Sequence, residues 1–368
     1  MNRFFHFLFI SLMSLVLNKG IAQDASRSHL KWSKLQPVPD PIGFAGSFSG
    51  VANGALLVAG GANFPDGGAP WTGSVKAWHD DIFVLESPEG KWKHAGKLPH
   101  SLGYGASVNW KGALIILGGS NEKGHHSEVV VLNYKNDAVE TSRLPDLPHP
   151  IANTAAALVD DVIYVAGGIE NPEDKSAGQN FWSLDLTSEH KTWKILKSWP
   201  GPARMLSVAG AQKGMFYLFS GVELLEGKRK YLKDAYKYSP AGGWKQVADL
   251  PSSVAAAPTP AYSAAATLLI FGGDDGELAP EAANLKENHP GFSKQILNYN
   301  TLTNTWKVTG KIFTAKKYDA VKNPNGSIWA PVTTTLTVWK GNIVIPGGEV
   351  RPATRTPNVL MATPEKHH

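Results

Sequence analysis

The chain has 368 residues, with 36 Lys and Arg against 31 Asp and Glu and a formal net charge of +5. There is no cysteine, which excludes disulfides, thiolate metal sites and cysteine nucleophiles. The positive balance is mild and forms no basic stripe, which argues against nucleic acid as a partner.

The chain opens on "MNRFFHFLFISLMSLVLNKGIAQ", and residues 1–22 read as a secretory signal. Arg3 supplies a positive start, and the apolar run that follows is short for a membrane span. Gly20 and Ala22 are small residues suited to cleavage after Ala22. The expectation is export to the periplasm, with no membrane anchor once the signal is removed. Loss of Arg3 and Lys19 would take the charge from +5 to +3. Residues 23–368 are then expected to form a single domain, long enough to bury its core without disulfides.

Three signals recur along that stretch. The first is an apolar run ending in two small residues: "ALLVAGG" (55–61), "ALIILGG" (113–119), "VIYVAGG" (162–168), "MFYLFSG" (215–221), "TLLIFGG" (267–273) and "NIVIPGG" (342–348). The second is a strand with a polar start, such as "DDIFVLE" (80–86), "SEVVVLN" (127–133) and "PNVLMAT" (357–363). The third is a tryptophan strand leading to a turn, at Trp92, Trp193, Trp244 and Trp306; the second repeat has "VETSRLPDLP" there. With an inner strand such as "GYGASVNW" ahead of them, each unit is four strands of roughly 50 residues. The glycines allow sharp turns at positive φ.

Six such sheets predict an all-β, six-bladed β-propeller, in which ring closure leaves only short edges. The last polar-start strand has no tryptophan strand after it. "LKWSKLQPVP" (30–39) lies at the other end, so the N-terminal strand should complete the last blade. The repeated tryptophans belong between blades. Trp71 and Trp78 fall outside that register and are candidates for stacking on a ligand.

The Gly-Gly and tryptophan spacing resembles kelch repeats. More narrowly, "LKWSKLQPVPDPIGFAGSFSGVANGALLVAGGANFP", "YGASVNWKGALIILGG" and "GGEVRPATRTPNVL" resemble the sialic acid mutarotases, the N-acetylneuraminate epimerases. Here the third segment comes last, so the chain is similar to a cyclically permuted branch of that family. The resemblance implies a Gly-Glu-x-Lys-Pro-x-x-Arg-Thr segment that carries a catalytic glutamate and an arginine. It matches Gly348, Glu349, Pro352, Arg355 and Thr356, with Arg351 in the lysine position. That replacement keeps the charge and alters the geometry.

In antiparallel blades, the loops entering the inner strand and those leaving the glycine-ended strand share one face. The first set offers Phe44, Tyr104, Asn153, Arg204 and Trp329. The second offers Asn63, Asn121, Glu170, Glu223, Asp274 and Glu349. The expected substrate is a small acidic sugar. Mutarotation opens its ring to a ketone and recloses it on the other side, which needs a base, a proton source, and no cofactor or metal. Glu349 is expected to move the proton and Arg355 to hold the substrate carboxylate as a fork. Arg351, Arg204, Asn63 and Tyr104 are candidate helpers. Glu223 and Arg229 form a rival pair with the same six-residue offset. His289 is a candidate for the pocket wall. The histidines at 79, 125, 126, 367 and 368 show no third ligand at a metal-binding spacing. The alternative function is a non-catalytic kelch propeller that binds carbohydrate or protein. An oxidase with a thioether-linked copper site lacks its cysteine. The sequence leaves the oligomeric state open.

Overall fold

The computed structural model describes residues 30–314, 326 and 328–365. The expected signal segment, with His367 and His368, lies outside the described residues. Among them, no helix is long and apolar enough to cross a membrane.

Six four-stranded antiparallel sheets form the body. Blade 1 comprises Phe48–Ala52, Ala55–Ala59, Asp81–Leu85 and Lys93–Lys97; blade 2 comprises Ala106–Trp110, Ala113–Asn121, Gly124–Lys135 and Ala138–Leu144. Blade 3 starts at Ala155, blade 4 at Val208 and blade 5 at Tyr262. Blade 6 takes Thr337–Trp339, Asn342–Pro346 and Val359–Pro364 from the end of the chain. Its outermost strand is Leu30–Leu35, which pairs antiparallel with Val359–Pro364, Leu35 facing Val359. The closure expected from the repeat register is therefore the observed one.

The second strand of each blade is buried almost throughout, because it is covered by a blade on either side. This is why those strands read as unbroken apolar runs. Core clusters fill each of the six blade-to-blade interfaces, for example Leu57 and Ile82 of blade 1 against Ile116 and Val130 of blade 2. The outer tryptophans stitch neighbours together. Their indole N–H groups donate to backbone carbonyls of the adjoining blade: Trp92 to Gln36, Trp193 to Pro145, Trp244 to Lys197 and Trp306 to Ala248, all at 2.8–2.9 Å. Each such bond contributes about 0.5–1.5 kcal/mol net.

Both residues of every glycine-type doublet sit at positive φ, including Ser220 at 53° before Gly221 at 101°. The second place cannot accept a side chain. A Cβ on Gly348 would lie 2.7 Å from the Val332 carbonyl.

One end of the central channel is bounded by a closed hydrogen-bonded ring. Gly46, Tyr104, Asn153, Leu206, Ala256 and Thr333, one from each blade, all have φ between 53° and 67°. The N–H of each donates to the carbonyl of its counterpart in the preceding blade at 2.7–2.8 Å, and Gly46 donates to Thr333 to close the circle. For a non-glycine residue this conformation costs roughly 1–2 kcal/mol. The ring bond offsets it by a similar amount. The channel inside is narrow, about 60 Å³.

Candidate active site

Above this ring several blades extend their second hairpin. Blade 1 carries Ala62–Asn63 paired with Ala77–Trp78, and blade 4 carries Val222–Leu225 paired with Lys228–Tyr231. Blade 6 carries Glu349–Arg351 paired with Thr354–Arg355. Blade 5 inserts a long loop with a one-turn helix, Ala282–Leu285, flanked by 3-10 turns. These walls enclose a cleft of about 310 Å³, lined by Leu206, Ala256 and Thr333 of the ring and by Arg229, Tyr231, Asp274, His289, Glu349 and Pro352. A second hollow of about 490 Å³ lies beside it, lined by Lys76, Trp78, Tyr104, Asn121, His125, Asn153 and Glu173 among others.

Glu349 enters the cleft on a backbone fixed from both sides. Its N–H donates to the Val332 carbonyl at 2.9 Å, and its carbonyl accepts from the Val332 N–H at 2.8 Å. Its carboxylate accepts the Ala353 N–H at 2.8 Å. Arg355 is its partner in register across the ribbon. Arg355 is only 3% exposed. Its Nη2 donates to the Tyr104 hydroxyl at 3.3 Å, and its guanidinium lies 4.7 Å from the Phe64 ring centroid. Burial opposes the Arg355 charge, but the Glu349 carboxylate and Tyr104 outweigh it and hold the guanidinium above its ordinary pKa. Burial pushes the Tyr104 hydroxyl up, so it keeps its proton; the Arg355 charge works the other way.

Arg351 is a brace. It is 4% exposed, its Nε donates to Thr354 Oγ1 at 3.0 Å, and a second nitrogen donates to the Glu287 backbone carbonyl. Glu287 in turn accepts the Trp71 indole N–H at 2.6 Å. Trp71 is thus committed to joining the loops of blades 1, 5 and 6. Trp78 meets Tyr104 edge-on, with ring centroids 5.5 Å apart.

Two sequence expectations are corrected. Arg204 is fully buried. It donates to Asp234 Oδ2 at 2.6 Å, to the Ser220 carbonyl at 3.0 Å and to the Pro202 carbonyl at 3.2 Å. It precedes the ring residue Leu206 by two positions, which sets it beneath the face. Asn63 is also buried, its Oδ1 2.9 Å from His79 Nε2 and its Nδ2 donating to Asp40 at 3.3 Å. Neither has surface to offer a ligand.

The rival pair is split. Glu223 faces Lys230 in register, at 3.8 Å, whereas Arg229 faces Leu224. Neighbouring positions on a strand point to opposite sides, so Arg229 reaches the cleft and Glu223 does not line it.

His289 does line the cleft. Its Nδ1 accepts the Gly291 N–H at 3.1 Å, which leaves the Nε2 proton as a donor. Burial depresses its pKa, with Asp274 pulling the other way, so the ring is neutral near pH 7. The Tyr231 hydroxyl donates to Asp274 Oδ2 at 2.8 Å. Sequence reading missed Tyr231 and Lys76. The Lys76 ammonium lies 5.1 Å from the Tyr104 ring centroid and 5.3 Å from that of Trp78. It sits in an irregular loop with no periodicity to mark it. Sequence spacing also missed that His126 meets His100 and Glu128.

Fold and site define a six-bladed propeller with a charged cleft over one mouth of its channel. The N-acetylneuraminate epimerase family profile matches residues 18–141 and 144–368, and the chain belongs to that family. It is 37% identical over 122 residues to N-acetylneuraminate epimerase 1 of Escherichia coli O6:H1, covering 31% of this chain and 32% of that protein. It is 36% identical over 108 residues to the N-acetylneuraminate epimerase of Haemophilus influenzae, covering 26% and 28%. Each alignment thus spans about a third or less of the curated relative. The fold is similar to a solved structure of YjhT, with a TM-score of 0.65 and 15% identity over 90% of this chain and 97% of that one.

Proposed function

We propose that this protein is a mutarotase that interconverts the α and β anomers of N-acetylneuraminate or a closely related acidic sugar. The reading rests on the family, and one observation carries it to the residues: Glu349, pinned at its backbone, lines the same cleft as Arg229. Glu349 takes the proton of the anomeric hydroxyl as the ring C–O bond breaks and the ketone forms. The ring oxygen takes a proton from the carboxyl so formed, relayed through water or a neighbouring hydroxyl. Reclosure on the opposite side of the ketone reverses both transfers. General acid–base catalysis of this kind contributes about 10²–10⁴-fold.

The exposed fork of Arg229 is assigned to the substrate carboxylate. Arg355, buried under Tyr104, acts as a fixed positive charge beside the Glu349 carboxylate and keeps Tyr104 oriented. His289 offers its Nε2 proton to a sugar oxygen. The leader read from residues 1–22 makes export part of the same proposal, which N-terminal sequencing of periplasmic protein would check.

The test is proton NMR of freshly released α-anomer with and without the protein. The expected result is faster approach to the equilibrium mixture. If no acidic sugar equilibrates faster, the protein is instead a non-catalytic propeller that binds carbohydrate or protein.

A further inference from the structure

Outside the cleft, one cluster has the chemistry of a ligand site that acid–base mutarotation does not use. His126 and Glu128 are two apart on a strand of blade 2, and their ligand atoms converge there. The pairing with the neighbouring strand shifts between His126 and Val129, a bulge that re-aims this stretch. His100 comes from the loop entering blade 2 and stacks on His126, with ring centroids 4.6 Å apart. One ligand atom from each of the three residues lies within 4.8 Å of the other two.

We propose that His100, His126 and Glu128 bind a divalent transition-metal ion of the zinc type. Hydrogen bonds already orient His100 and Glu128. His100 Nδ1 lies 3.0 Å from the Ser101 carbonyl, and that carbonyl is itself held by Asn121 Nδ2 at 2.9 Å. This turns His100 Nε2 toward Glu128 Oε2, its hydrogen-bond partner. The other oxygen of Glu128 is fixed by Arg143 at 2.8 Å. His126 Nε2 is buried with no hydrogen-bond partner among the described residues. A buried imidazole nitrogen without a partner is costly, and a metal ion satisfies it.

Two imidazoles and one carboxylate, with a water in the fourth position, suit zinc, cobalt or nickel rather than magnesium or calcium. Bonds of about 2.0–2.1 Å put tetrahedral ligand atoms about 3.3 Å apart. The three ligand atoms, already within 4.8 Å of one another, therefore need to shift by no more than about 1.5 Å to reach that spacing. The bound ion displaces the proton shared by His100 and Glu128. It ties the loop at His100 to the hairpin at Asn121 and Gly124, whose residues line the second hollow.

The experiment uses untagged full chain, stripped with EDTA and dialysed, titrated calorimetrically with ZnCl2 and separately with CoCl2. The expected result is one ion per chain with a dissociation constant in the micromolar range or tighter. Bound cobalt should give the intense visible bands of a tetrahedral site. His126→Ala and Glu128→Gln should each weaken binding at least tenfold. His125→Ala and a His367→Ala/His368→Ala variant should stay within twofold. Absence of stoichiometric uptake overturns the proposal. So does uptake that survives both His126→Ala and Glu128→Gln. If those variants fail to fold, the wild-type cobalt spectrum decides, and weak octahedral bands overturn it.

Discussion

Glu349 and Arg355 are register partners in one short ribbon, yet the first lines the open cleft and the second is 3% exposed beneath Tyr104. The positive-φ turn at Ala353 lets its N–H cap the Glu349 carboxylate, while Arg355 runs back under the face. The carboxylate is presented and the cation is stored beside it.

Glu349→Gln keeps the shape and the cap acceptor but removes the base. The expected result is a loss of about 10²–10⁴-fold in the NMR equilibration rate, with half-saturation little changed. Equilibration at the wild-type rate would show that another group moves the proton.

The two arginines should separate kinetically. Arg229→Ala should raise the half-saturating concentration at least tenfold and change the saturated rate little, because an exposed fork that holds the acid contributes to binding throughout. Arg355→Ala should instead lower the saturated rate, because it removes the fixed positive charge beside Glu349 and the donor that orients Tyr104. The reverse pattern would return the carboxylate to Arg355.

Much of this was legible because it is imposed on side-chain type. A doublet in which both residues have positive φ selects glycine, and a strand covered on both faces selects an apolar run. The closing blade followed from a missing tryptophan strand. The ring was not legible. Gly46, Tyr104, Asn153, Leu206, Ala256 and Thr333 share a backbone conformation, and no common side chain marks them. Reading the loop that enters the inner strand therefore put Arg204 on the face, two residues early. The meeting of His100 with His126 and Glu128 depends on a bulge, which no spacing rule reveals.

Arg204 should matter for stability instead. Arg204→Met leaves Asp234, whose side chain is 17% exposed, without its guanidinium. Breaking a buried pair from one side costs about 3–5 kcal/mol. At roughly 2–4 °C per kcal/mol, the value for domains of 150–250 residues, Tm should fall by about 6–20 °C. The protein that remains folded should keep its activity. A Tm within 2 °C of wild type would mean that Asp234 is satisfied in another way.

Two histidines, His289 buried and His79 half-buried, set an acid limit. His79 is depressed by burial, against the pull of Asp40, Asp81 and Asp80. His289 is depressed by burial, against that of Asp274. The fold therefore favours the neutral ring, and the unfolded chain binds more protons below the ordinary histidine value of about 6.5. Their contribution is complete above that pH and is lost as pH falls through the depressed values. His100 has the opposite sign: burial lowers its pKa, but Ser101 and Glu128 outweigh it and raise it. A His79→Gln/His289→Gln double variant isolates the first effect. The wild-type urea midpoint should drop between pH 7.5 and pH 5, and the double variant should lose less over the same range. Equal drops in the two proteins would place the acid sensitivity elsewhere.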